Sequence, residues 1–312
     1  MTWSRLWASG GAVHRMLGPW ARVSLCYLWG HGRWPDLDRG ERFTEMVQQR
    51  KLVDRDERHP ALMDKLAAKA LAAQVLGKNW VIPTLWCGEA LPHFQPFATP
   101  AILKANHGCN QYRILREAPT ASDWASLQEL TQGWMRQSYG GWLDEWAYHY
   151  TPRGLLAEPL VGEGNALPID YKIYVFGGRA THVQVHLERE HAHRWILHDR
   201  DWKQLVHVEE TPPRPRSLAA MLEAAEALAT GHDFLRVDFY EVGQRPLFGE
   251  FCLYPGSGLD PFAADWIDLE LGRLWRETVV AREAAEVNAA RRSGLTLETS
   301  APICPSSKRK AA

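Results

Sequence analysis

Apolar positions along this chain follow two rhythms, one close to the helical repeat and one of alternating residues. Between 61 and 76, Leu62, Leu66, Ala70 and Ala73 recur at helical spacing and Gly77 follows as a stop, which predicts an amphipathic helix. Val81, Ile82, Leu85 and Trp86 suggest a short strand, and Pro92, Pro96 and Pro100 mark an irregular connector. Residues 101–104 read as a strand running into a small turn at 106–110, followed by a helix over 125–138 and a short apolar strand over 155–161. The run 171–176, the pair Gly177 and Gly178, and the alternating segment 180–187 predict a hairpin. The clearest helix is 217–230, with Leu218, Met221, Leu222, Ala225 and Leu228 on one stripe, Ser217 placed to cap it and Gly231 to end it. Two strand-like runs, 234–240 and 247–253, flank a turn at Gly243. After Gly272 the pattern is helical again, and 299–312 reads as a disordered tail with a basic end.

A chain of 312 residues with 46% hydrophobic and 23% charged residues buries a sizeable core in one large domain or two lobes sharing a cleft. The formal net charge of -1 leaves no global field to recruit nucleic acid, so that partner class is not expected. Five scattered cysteines without a C-x-x-C spacing give no zinc or redox signature and point to a reducing compartment. No apolar run approaches the ~18 residues of a membrane-spanning helix. Arg5, His14, Arg15 and Arg22 interrupt any secretory h-region, and the expected location is the cytoplasm. One local asymmetry stands out. The first 35 residues hold Trp3, Trp7, Trp20, Trp29 and Trp34 with four arginines and no acid. Such a segment suits either a helical pair packed on the body or peripheral contact with an anionic membrane face.

The most informative chemistry lies between 236 and 258. Residues two apart on a strand share a face, so Arg236 and Asp238 point together, and Glu250 sits on the next strand across a short turn. Two hard carboxylates on neighbouring strands are what Mg²⁺ uses when phosphate and water complete its octahedron, and a guanidinium suits phosphate oxygens. A plain cross-strand ion pair accounts for the same three residues equally well. Asp170 and Lys172 likewise alternate on one strand face, suited either to a ribose and a phosphate or to salt bridges.

Taken in order, several segments resemble the TupA-like branch of the ATP-grasp superfamily. They are Asp64-Lys-Leu-Ala67 at the start of a helix, Ile102-Leu-Lys-Ala-Asn-His-Gly108, Ala157-Glu-Pro-Leu-Val161, Asp170-Tyr-Lys-Ile-Tyr-Val-Phe-Gly177, Phe234-Leu-Arg-Val-Asp-Phe-Tyr240, and Phe248-Gly-Glu250 through Pro255-Gly-Ser-Gly258. The resemblance covers roughly 36–272 and implies an α+β, ATP-grasp fold, in which two α+β lobes enclose a nucleotide cleft behind a mostly helical N-terminal region. The implied divisions are a basic Trp-rich segment (1–35), a helical region preceding the ATP-grasp lobes (36–100), a small lobe (101–160), a large lobe with the metal site (161–285) and a flexible tail (286–312).

By the same resemblance the cofactors are ATP and Mg²⁺, with Asp238 and Glu250 as metal ligands. Lys104 holds the α- and β-phosphates, and Asn106, His107 and Gly108 form a phosphate-cradling turn. Glu158, Leu160 and Val161 make the adenine-reading hinge, Asp170 reaches the ribose, and Arg194 closes over the γ-phosphate from a lid that also contains His191 and His193. Arg236 and Lys172 neutralise charge on the transferred phosphoryl group, and Ser257 orients the acceptor. One position departs from the superfamily pattern: Cys252 stands where Asn commonly assists the metal, and a thiol is a poor magnesium ligand. The implied activity is a carbon–nitrogen ligase joining a small-molecule or glycan carboxylate to an amine in bacterial cell-surface polysaccharide biosynthesis. A glycan kinase and a non-catalytic nucleotide-binding scaffold are the competing readings.

Overall fold

The computed structural model describes residues 17–137, 139–162, 166–187, 194–209 and 211–292, with side chains as far as 285. Trp3, Trp7, Arg5, Arg15, the histidines at 191 and 193, and the tail beyond 292 lie outside the described residues.

The N-terminal region is helical. Helix α1 (Pro19–His31) starts on a proline and stops where Gly32 adopts a left-handed conformation, returning its N–H to the Leu28 carbonyl at 2.8 Å. One face of α1, carrying Val23, Cys26 and Tyr27, is buried, while Trp20, Leu25 and Trp29 point to solvent. Helix α2 (Phe43–Val53) is buried nearly all round, because it lies between the C-terminal helix and the large sheet. The single helix expected over 61–76 is two. Helix α3 (His59–Met63) ends at Asp64, and α4 (Lys65–Leu76) begins there. The reason is local: the Asp64 carboxylate accepts from the Leu66 and Ala67 amides at 2.9 and 3.0 Å, replacing the backbone bonds a continuous helix would need.

The small lobe is a four-stranded antiparallel sheet of β1 (Trp86–Gly88), β2 (Ala101–Ala105), β3 (Tyr112–Leu115) and β4 (Leu155–Pro159) in the order β1-β4-β2-β3. Helix α5 (Ala121–Arg136) packs on it through Trp124, Leu127 and Trp134, and a short helix α6 (Trp146–His149) follows. The large lobe is a five-stranded antiparallel sheet of β5 (Asp170–Phe176), β6 (Arg179–Leu187), β7 (Arg194–Asp199), β8 (Phe234–Val242) and β9 (Arg245–Cys252), in the order β7-β6-β5-β8-β9. As expected, β5 and β6 form a hairpin through Gly177 and Gly178, and β8 and β9 form another through Gly243. Helix α7 (Leu218–Leu228) contacts β5, β6 and β8 and shares the main core with Ile173, Val183 and Val237. Ser217 precedes it but does not cap it, since its hydroxyl and amide both bond Glu241.

The opposite face of the large sheet is divided. Toward one end Phe43 of α2 meets Tyr174 and Phe234 at ring separations of 5.6 and 5.0 Å, joined by Trp275 of the long helix α8 (Asp265–Arg292). Toward the other end the same face carries charge, and the two lobes meet over it.

Candidate active site

Strand register builds the charged end. Lys172 lies opposite Asp238, and Asp238 lies opposite Glu250, so three strands place these side chains in one row on one face. Arg236 is in the next row, opposite Cys252. A bulge at Gly249 shifts β9 by one residue just before Glu250. A Cβ at Gly249 would sit 3.1 Å from the Asp238 carbonyl oxygen and 3.2 Å from the Tyr240 ring, so a side chain there would press on β8 and require it to give by a few tenths of an ångström.

The row is an ion-pair network. Arg236 grips Asp238 through two bonds of 2.8 Å, and Lys172 donates to the same carboxylate and lies 2.7 Å from Asp170. Asp170, Lys172 and Asp238 are each less than 5% exposed. Burial alone would raise the Asp238 pKa, but Arg236 and Lys172 outweigh it and hold the carboxyl below its usual range. The same acids raise Lys172 above the ordinary lysine value despite its desolvation. Desolvation pushes the Cys252 thiol up to about 12, so it is neutral and offers a metal little.

A cleft runs from this row to the small sheet. Lys104 and Ile102 of β2, Glu158 of β4, and Lys65 and Lys69 of α4 form one side, while Tyr240, Gly249 and Glu250 form the other. Ile82, Leu160, Val161, Leu167 and Pro168 supply an apolar lining. The Glu158 carboxylate, 4% exposed, takes both Lys69 and Lys104, the latter at 2.6 Å. Those two ammonium groups overcome the burial that would raise the Glu158 pKa, and lower it. Three lysines against Glu158 and Glu250 leave the cleft one positive charge in excess, with an apolar patch beside it. That combination takes a ligand with an anionic group and a flat apolar ring.

The turn after β2 divides its labour. Asn106 binds structure on every side: its amide donates to Gly154 O at 2.8 Å, its Oδ1 accepts from Leu66 N, and its Nδ2 donates to Pro152 O at 3.0 Å. His107 is also internal, with Nε2 3.1 Å from the Trp134 carbonyl oxygen and Nδ1 accepting from Gly154 N. Of the three expected cradle residues, Gly108 is the one lining the cleft, and its carbonyl receives Lys65 Nζ at 2.6 Å. Arg194, at the start of β7, pairs with Leu187, on the face of the sheet opposite Lys172 and Asp238. The register therefore does not bring it into the charged row.

Ser257 sits in the turn Pro255–Gly258, where Gly256, Ser257 and Gly258 have φ of 54°, 56° and 63°. A Cβ at Gly258 would fall 2.8 Å from the Thr44 carbonyl oxygen, so only glycine lets the turn settle on α2. Lys51 of α2 donates to Ser257 O and Oγ at 2.6 and 2.7 Å, and Gln48 reaches Ser257 O and Gly258 O at 2.9 Å each. Burial lowers Lys51 to about 8 and raises its neighbour Glu145, which also bonds Ser257. No motif in the sequence marks Lys51, Lys69 or Glu145. The spacing of Lys65 and Lys69, one helical turn apart behind the Asp64 cap, is the sequence signal that places both on the cleft side of α4.

The TupA-like ATP-grasp family model matches residues 45–276 of the 312. The chain belongs to this family. The two antiparallel sheets and the cleft between them are those of an α+β ATP-grasp enzyme. Among solved structures it is similar to D-alanine–D-alanine ligase from Bacillus anthracis, at 15% identity over 72% of this chain and 69% of that one, with a TM-score of 0.42. The ATP-grasp ligase PsnB complexed with a minimal precursor is similar at 11% identity over 71% of this chain and 62% of that one, TM-score 0.39. The L-amino acid ligase from Bacillus licheniformis is similar at 11% identity over 69% of this chain and 43% of that one, TM-score 0.38. No sequence among the curated proteins matches.

Proposed function

We propose that this TupA-like ATP-grasp enzyme is an ATP- and Mg²⁺-dependent carboxylate–amine ligase acting in bacterial cell-surface polysaccharide biosynthesis. The observation that carries the reading is the convergence of Lys65, Lys69, Lys104 and Glu250 on one partly apolar cleft, with Lys172, Arg236 and Asp238 in the strand rows beside it. Lys104 and Lys69 exchange Glu158 for the nucleotide phosphates, Gly108 leaves room for them, and Leu160 and Val161 pack the base. Asp170 meets the ribose.

The residues fit Mg²⁺. Asp238 and Glu250 are cross-strand partners and offer only hard oxygen donors, with Glu250 facing the cleft. Glu250 from the cleft wall and Asp238, which Arg236 and Lys172 hold in place, would be the residues to hold the ion. When bound, the ion neutralises phosphate oxygens and helps align the γ-phosphoryl group. In the reaction, a carboxylate oxygen of one substrate attacks the γ-phosphorus and ADP leaves. The amine of the second substrate then attacks the acyl carbon and phosphate leaves. Lys172 and Arg236 hold charge at the phosphoryl group, and Ser257, braced by Lys51, orients the acceptor. The place of action is the cytoplasm, with Trp20, Leu25, Trp29 and Trp34 touching the inner membrane face.

The test is MgATP turnover across panels of uronic-acid or amino-acid carboxylates with amines, run with hydroxylamine. Amine-dependent ADP release and a trapped hydroxamate support the ligase. A phosphorylated glycan without a hydroxamate makes the protein a kinase, and ATP binding without turnover on any pair makes it a scaffold.

A further inference from the structure

A second group of ligand-type side chains lies away from the cleft, where the loop between α2 and α3 meets the turn between α7 and β8. Asp56, His59 and His232 each present one ligand atom there, and these atoms lie within 4.8 Å of one another. His59 is 2% exposed, and its Nδ1 is buried with no hydrogen-bond partner, 3.7 Å from Asp54 Oδ2, while its Nε2 is 4.0 Å from Asp56 Oδ2. The ring of His232 stacks at 6.1 Å from that of His59. The group lies off the charged row: β8 begins at Phe234, two residues after His232, and the four steps from there to Asp238 alone span roughly 13 Å.

We infer that Asp56, His59 and His232 form a zinc site that ties the N-terminal helical region to the large lobe, with Asp54 against the other ring nitrogen of His59 to orient it. Two imidazoles and carboxylate oxygens are a borderline donor set of the kind Zn²⁺ takes, whereas Mg²⁺ prefers oxygen alone. Desolvation keeps both rings neutral, as ligation requires, with His232 lowered to about 4. Zinc bonds of about 2.0–2.1 Å put tetrahedral donors roughly 3.3 Å apart, so the present spacing closes with shifts of about 1 Å.

The arginines of the site set its terms. Asp54, Asp56 and Asp233 stand against Arg50, Arg55 and Arg58, so charge alone recruits no cation and the bonds to the donors must do it. Arg50 is buried and held by Asp233 and Asp54, and Arg55 bonds backbone carbonyls and lies over the Trp146 ring. Arg58 is the direct competitor, because its guanidinium holds Asp56 at 3.0 Å. Its side chain is 51% exposed, and exposed pairs contribute little, so the metal displaces it from one oxygen.

That competition gives variants of opposite sign. The full chain, stripped with a chelator and titrated with zinc chloride against a chromophoric competitor in excess Mg²⁺, should bind one equivalent. His232→Gln and Asp56→Asn should each weaken binding at least tenfold, while Arg58→Gln strengthens it. The zinc-free melting temperature of each variant reports separately that the fold is intact, and MgATP binding should not change. X-ray absorption of the zinc form should show nitrogen and oxygen at about 2.0–2.1 Å and no sulfur near 2.3 Å. Failure to bind zinc at micromolar concentration, retention of wild-type affinity in both weakened variants, or a sulfur shell from the cysteines each overturns the assignment. If His59→Gln does not fold, the more peripheral His232 and Asp56 variants still decide the matter.

Discussion

Glu158 is the point where stability and nucleotide binding are coupled, and removing its two lysines in turn exposes that coupling. The carboxylate is buried and shared: Lys104 bonds one oxygen at 2.6 Å, and Lys69, itself held by Thr84 at 2.7 Å, bonds the other. In Lys104→Met the carboxylate keeps Lys69, the methionine packs where the aliphatic stem lay, and the loss of stability without nucleotide should be about 1 kcal/mol. Lys69→Met should cost a similar amount, since Lys104 remains. In the double variant a buried carboxylate has no cation, a state that costs about 3–5 kcal/mol. The two substitutions should therefore be non-additive by at least about 1 kcal/mol, and Glu158→Gln in the double background should recover most of the difference. Urea denaturation at neutral pH measures each step. For ATP the order reverses. Losing a charged hydrogen bond to phosphate costs about 1.5–3 kcal/mol, so Lys104→Met alone should weaken ATP roughly tenfold to a hundredfold by calorimetry. Additive stability losses would show that Glu158 is not the shared partner, and unchanged ATP affinity would remove Lys104 from the phosphate site.

Other outcomes test separate parts of the structure. Glu250→Gln should abolish most thermal stabilisation by MgATP while leaving the apo melting point within a degree or two, because Glu250 faces the cleft. Asp238→Asn should lower the apo melting point as well, by leaving Lys172 and Arg236 under-compensated; an apo protein indifferent to that change would contradict the network. His182 is 8% exposed and lowered to about 4 by burial, against about 6.5 unfolded. Its contribution is complete above about pH 6.5 and is lost as pH falls toward 4, amounting to up to about 3 kcal/mol. His182→Asn should flatten denaturation midpoints between pH 7 and 4.5, and an unaltered slope would exclude that histidine as the source. On α1 and the segment just after it, Trp20, Trp29 and Trp34 are 50%, 51% and 62% exposed, whereas Arg22 and Arg33 bond Asp144 and Asp268. Replacing those three tryptophans with serine should abolish sedimentation with anionic vesicles and leave ATP binding intact. Deleting 1–35 is the poorer test, because it also removes the buried Tyr27 and its bond to Thr44.

What the sequence determined by itself was whatever depends on neighbours along the chain. Alternation gave the β5–β6 and β8–β9 hairpins, and strand parity alone placed Arg236 with Asp238, which the bidentate pair bears out. The order of short motifs was enough for the family and, through it, for the α+β ATP-grasp architecture. Tertiary structure decided the partners. Asp64 reads as the start of a helix, which it is, but only the structure shows the same residue closing a separate short helix before it. Glu158 is an isolated acid on an apolar strand until α4, some 89 positions earlier in sequence separation, lays Lys69 across it. Lys51 gives no sequence signal at all, because what makes it matter is a turn 206 residues away, where its ammonium group binds the carbonyl and hydroxyl of Ser257. Register fixes which side chains can share a face. Which of them are desolvated together, and so which charges must be paired, depends on contacts between distant segments that no local pattern encodes.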